Sequence, residues 1–111
     1  MNLSKKVFEL IDNDAGLAAN KTKMIFDAES SPYKATYTGD NIEFGHVIVA
    51  INKSAINMLY HAQTKDGELV AGTALVSLIE DDANRLKMTL NWQWLTGDLS
   101  SGTSYWQEVA P

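Results

Sequence analysis

Leu86-Lys87-Met88-Thr89-Leu90-Asn91-Trp92-Gln93-Trp94 is the stretch that decides the fold class. Leu86, Met88, Leu90, Trp92 and Trp94 take every second position, and Lys87, Thr89, Asn91 and Gln93 fill the places between them. Side chains that recur with period two share one face of a strand, so this segment reads as a β-strand with one buried and one wet face.

The same period continues on both sides. In 55–64, Ile56, Met58, Tyr60 and Ala62 alternate with Asn57, Leu59, His61 and Gln63. In 68–80, Val70, Gly72, Ala74, Val76 and Leu78 form the inner row, where the small Gly72 and Ala74 make room for Trp92 or Trp94. In 42–51, Ile42, Phe44, His46 and Ile48 oppose Glu43, Gly45, Val47 and Val49. Both faces there carry apolar residues, so that strand is covered on both sides or lines a contact.

Further strands are expected at 4–11, 21–29, 33–38 and 103–109, with 85–96 as the seventh. Turn formers separate them at Asn13 to Gly16, Ser30 to Pro32, Gly39 to Asn41, Asn52 to Ser54, Lys65 to Gly67, Asp81 to Asn84 and Gly97 to Gly102. Eight short strands joined by short loops imply an all-β, antiparallel up-and-down meander, curled into a small closed or nearly closed calycin- or lipocalin-like barrel. Residues 1–111 are read as one domain. The first segment is the exception to the pattern: residues 4–11 read either as a strand or, with Ala15 to Asn20, as a short helix and loop.

Composition excludes more than it identifies. Nine basic against 14 acidic residues give a net charge of −5, which argues against direct nucleic-acid binding by counterion release. There is no cysteine, so disulfides, thiolate metal sites and a cysteine nucleophile are excluded. No run approaches the roughly 20 apolar residues of a membrane-spanning helix, and Met1 to Leu10 has no signal-peptide core, so a cytoplasmic protein with no membrane contact is expected.

The segment Asn91-Trp92-Gln93-Trp94, then Gly97-Asp98, then Ser100-Ser101-Gly102-Thr103-Ser104, resembles a motif of a family of small, largely uncharacterised bacterial β-rich proteins. The similarity runs upstream through Gly67-Glu68-Leu69, Tyr60-His61 and Ala35 to Gly39, covering about residues 22–108. The resemblance implies a calycin-type barrel. Sequences of this kind often carry the label N-acetylglutamate synthase, but an acetyltransferase of the usual type needs a glycine-bearing loop at a helix start for the pyrophosphate of acetyl-CoA. This chain offers no such segment. It also departs from the family at Asp40, Leu90 and Trp106, so no charged site carries over.

No catalytic constellation, metal site or cofactor motif emerges. His46 and His61 stand alone in their strands; His46 shares its parity with Phe44 and Ile48 and reads as an interior or rim residue, His61 as exposed. Asp98 reads as a turn former bonded to nearby backbone N–H groups, with Ser100, Ser101 and Ser104 assisting. The residues marked for ligand or partner contact are Trp92, Trp94, Tyr60, Phe44, His46 and Trp106, since aromatic rings suit a pocket or an interface.

Three readings follow. The first is a non-enzymatic binding or regulatory module that contacts another protein, with an acidic inhibitor or nucleic-acid mimic as a variant. The alternative is a carrier of a small apolar ligand in an aromatic-lined barrel, which fails without a cavity of roughly 300 Å³. An eight-stranded barrel is just wide enough for its own side chains to fill, which favours a packed core. An enzyme ranks last. A homodimer is open if an unclosed sheet leaves edge strands to pair.

Overall fold

Eight antiparallel strands, β1 (Val7–Asn13), β2 (Lys23–Ser30), β3 (Tyr33–Thr38), β4 (Ile42–Asn52), β5 (Ala55–Thr64), β6 (Leu69–Glu80), β7 (Leu86–Trp94) and β8 (Ser101–Val109), form a closed barrel in sequence order. This computed structural model describes residues 2–13, 22–30, 32–39, 41–53 and 55–110. The first segment is a strand, and it closes the barrel by pairing with both β2 and β8. The expected turn from Asn13 to Gly16 and the helical alternative for Ala15 to Asn20 lie outside the described residues, Asn13 excepted. A closed barrel has no free strand edge. A second copy therefore finds no edge to pair with here, and contact between copies would have to use barrel faces.

Alternation sets the inside on β5, β6 and β7 as the sequence implies: Met58, Ala62, Ala74, Val76, Met88, Leu90 and Trp92 are all buried. On β4 the expected inner row is corrected. Ile42 is buried, but Phe44 and Ile48 are about half exposed and His46 is exposed, while Gly45, Val47 and Val49 face inward. A bulge is the reason: Ile42 pairs with Thr64 and Phe44 with Gln63, so Glu43 is an extra residue that reverses the parity after Ile42. A second bulge, between Leu10 and Asp12, turns Asn13 inward.

The two ends of the barrel differ. At one end the N-terminal segment crosses the opening and inserts Leu3, which is fully buried like Phe8 beside it in the core. The backbone fixes that plug, with Lys5 N–H donating to the Asp27 carbonyl at 3.0 Å and Lys6 N–H to that of Leu3 at 3.1 Å. Glu108 completes the seal by accepting from Lys6 Nζ at 3.1 Å and from Leu86 N–H at 2.8 Å.

The other end carries the β5–β6 and β7–β8 connections. In the first of these, Thr64 donates its hydroxyl hydrogen bond to Asp66 and Gly67 N–H donates to the Thr64 carbonyl at 3.0 Å. Gly67 takes φ +90° with open space around a would-be Cβ. Gly67→Ala is therefore expected to lower stability by about 1 kcal/mol through backbone strain alone, read as a reduced urea midpoint at unchanged slope. In the β7–β8 connection Asp98 accepts from Ser100 N–H at 2.9 Å, and the backbone and hydroxyl of Ser100 hold its carboxyl below the usual range. Asp98 is thus the turn former expected. Ser104 is not part of that turn; it is buried within the barrel.

Candidate functional site

Three large rings inside the barrel lie against glycine on the next strand. Tyr37 on β3 is the direct partner of Gly45, Tyr60 on β5 of Gly72, and Trp92 on β7 of Gly102. A Cβ on any of these glycines would lie within van der Waals overlap of its ring, at 2.7 Å from Tyr37 Cδ1, 2.6 Å from Tyr60 Cε2 and 2.6 Å from Trp92 Cζ2. Only glycine lets each ring lie flat along the wall instead of standing across the lumen. Gly72 is shared, since its partner on the other side is Trp94.

The rings so placed form an arc. Tyr37 and Tyr60 meet edge to face at 6.5 Å, Tyr60 and Trp94 at 5.3 Å, and Trp94 and Trp92 tilt together at 6.4 Å. Edge-to-face contacts of this kind fix each ring through its neighbour. Below the arc, Met24, Val47, Met58, Leu90 and Trp106 make an apolar floor. Between arc and floor lies a cavity of about 50 Å³. By that measure one water takes about 10–15 Å³, so the cavity admits a compact group of a few heavy atoms.

Its polar groups are few. Trp92 Nε1 donates to Asn13 Oδ1 at 3.1 Å, and Trp106 Nε1 donates to Ser104 Oγ at 2.9 Å. Both indoles are thereby oriented. Tyr37 differs: its hydroxyl is buried and has no hydrogen-bond partner among the described residues. Burial, with the neighbouring Tyr60 hydroxyl adding to it, pushes the Tyr37 phenol far above its ordinary value, and burial does the same to Tyr60. Tyr37 therefore stays protonated at any physiological pH, as a donor facing an apolar space.

A family model described as avidin-like protein matches residues 1–109, nearly the whole chain. This chain belongs to the avidin-like family. Neither the comparison with curated proteins nor that with solved structures gave a match. The calycin-type barrel implied by the resemblance is the architecture that this family membership supports.

In the avidin-like barrel, four of the six residues marked from sequence converge on one place: Tyr60, Trp92, Trp94 and Trp106 all line the cavity. All three tryptophans of the chain are there. Phe44 and His46 are not. The Glu43 bulge turns both to the outer face, where Phe44 packs its ring against His46 at 4.7 Å. The six residues marked from sequence do not include Tyr37, Asn13 or Ser104, although Tyr37 belongs to the chain's wider set of candidate aromatic residues and Ser104 reads as part of the turn after Gly97. Tyr37 carried a signal as a large aromatic residue on an alternating strand, but its pairing with Gly45, like that of Tyr60 with Gly72, is set by register. Asn13 carried none, since only the β1 bulge brings it inside.

Proposed function

We propose that this avidin-like barrel binds a compact small molecule, or the compact end of a larger one, that offers a hydrogen-bond acceptor to Tyr37. The buried and unpartnered Tyr37 hydroxyl carries the reading. A buried donor without an acceptor costs roughly 1–3 kcal/mol, so a ligand that supplies one recovers that penalty on binding. Family membership and the aromatic arc support the same conclusion. Sequence alone ranks a protein-contacting module first; the family and the cavity support its alternative, a carrier of a small ligand, instead.

Size narrows the ligand. At about 50 Å³ the cavity does not reach the roughly 300 Å³ required of a drug-sized carrier pocket, so the carrier reading stands only in a narrower form, in which a small ring or a branched head enters. Flat faces toward Tyr60, Trp92 and Trp94 favour a planar one.

The test uses five-membered cyclic amides and their hydrocarbon counterparts, with intrinsic fluorescence as the readout because every tryptophan lines the site. Cyclic amides are expected to change the emission saturably and the hydrocarbons to do so more weakly. Tyr37→Phe is expected to raise the stability of the free protein by about 1 kcal/mol, because the unpaired hydroxyl is gone, and to erase the preference for the amide. If no compound of either kind alters emission or thermal midpoint, or if Tyr37→Phe leaves the preference intact, the reading is wrong.

A further inference from the structure

The parity reversal on β4 has a chemical result on the outside of the barrel. His46 and His61 are direct cross-strand partners, both exposed, and their rings stand 5.3 Å apart at 73°. We propose that this pair is a two-imidazole chelating site for a divalent transition-metal ion.

Geometry carries the proposal. A zinc–imidazole bond is about 2.0–2.1 Å and a ring nitrogen lies about 1.2 Å from its centroid, so two imidazoles at a tetrahedral angle place their centroids about 5.4 Å apart. The observed 5.3 Å separation matches that value, so chelation asks the two exposed imidazoles to rotate about their side-chain torsions and leaves the strand pairing as it is. Both residues sit well inside strands that pair continuously from Phe44 with Gln63 to Asn52 with Ala55. The Phe44 ring, edge-on to His46 at 77°, further limits how that imidazole turns. Two ligands held in place by a sheet behave as a linked pair, and the second binds at a high effective concentration.

The surroundings set the strength and selectivity. Along the same ladder, Thr36 lies beyond His46 and Ala71 beyond His61, and neither is charged. Among the described residues no group of three or more histidine, cysteine or acidic side chains could hold a metal. The protein thus supplies two neutral nitrogen ligands, and water fills the remaining positions. Such a site binds reversibly and ranks Cu²⁺ above Ni²⁺ and Zn²⁺, following imidazole preference and the usual order of divalent affinities.

The test titrates Cu²⁺ and Zn²⁺ separately into the full-length protein by calorimetry, with electron paramagnetic resonance of the Cu²⁺ complex to count bound nitrogens. One equivalent is expected, tighter for Cu²⁺, with two nitrogens per copper. His46→Ala and His61→Ala are each expected to weaken binding roughly tenfold or more, and both should fold, since the side chains are exposed. The combined variant His61→Asn with Asn57→His keeps two exposed imidazoles on the same face but moves one to a position opposite Ala50. It is expected to bind as weakly as the single variants. Equal affinity across wild type and variants, or one nitrogen per copper in the wild type, would overturn the proposal. None of these outcomes depends on the cavity.

Discussion

Phe8→Ala is expected to lower the unfolding free energy by about 3–5 kcal/mol, the usual cost of removing a fully buried aromatic side chain and leaving its cavity. Phe8 has no exposed surface and meets Phe26 edge to face at 5.9 Å. Its position makes the loss global. Among the described residues the β1–β2 ladder pairs Val7 with Ile25, Phe8 with Met24 and Glu9 with Lys23, flanked by backbone hydrogen bonds from Lys5 to Asp27, Phe26 to Lys6 and Leu10 to Thr22, so this is the shortest ladder of the barrel and side-chain packing carries much of the seam. For a domain of this size such a loss lowers the thermal midpoint by roughly 10–20 °C. Amide exchange along β1 and β2 should accelerate more than along β4 and β5. A loss below about 1 kcal/mol would mean that the barrel does not close through Phe8.

Gly72→Ala is expected to abolish ligand binding and to cost about 1–3 kcal/mol of stability, the range for overfilling a packed interior. The new methyl group overlaps the Tyr60 ring, with Cε2 at 2.6 Å. Backbone ladders to β5 and β7 hold Gly72 on both sides, so the ring must move instead of the strand. The space beside the ring is the cavity. Tyr60 then occupies the volume a ligand needs, and its edge contact with Trp94 is lost. A double variant separates this cause from a general defect: adding Tyr60→Leu should restore at least about 1 kcal/mol relative to the sum of the single changes, because the two positions share one contact. Additive losses would place the damage elsewhere.

Together these variants probe opposite ends of one tube. The Leu3 and Phe8 end is a dry plug, whereas the Tyr37 to Trp94 end trades packing for a small cavity and one unpaired hydroxyl. That trade makes Tyr37→Phe an informative change, because it should stabilise the protein while impairing the function proposed for it.

Much of this was legible in the chain. Where no residue is inserted, period two alone assigns inside from outside, and it does so for Ile56 to Ala62 on β5, Gly72 to Ile79 on β6 and Leu86 to Trp94 on β7, with Thr73 and Thr89 half-buried on the outer row. The small Gly72 and Ala74 were also readable as room for tryptophans, and they pair directly with Trp94 and Trp92. Four of the cavity residues could be marked for the same reason, being large aromatic side chains on an inner row.

What the sequence determined by itself is the fold class and most of the inner rows, because side-chain direction in a strand follows from local backbone geometry. What only the tertiary structure decided depends on register between strands. A single extra residue at Glu43 moved Phe44 and His46 from the inside to the outside, and nothing local announces a bulge. The same register brought His46 against His61, a pair equidistant from the β4–β5 loop that separate strands would never reveal. Closure through β1, the inward turn of Asn13 and the size of the cavity likewise belong to the whole barrel, since each is set by how eight strands fit around one another and by no strand alone.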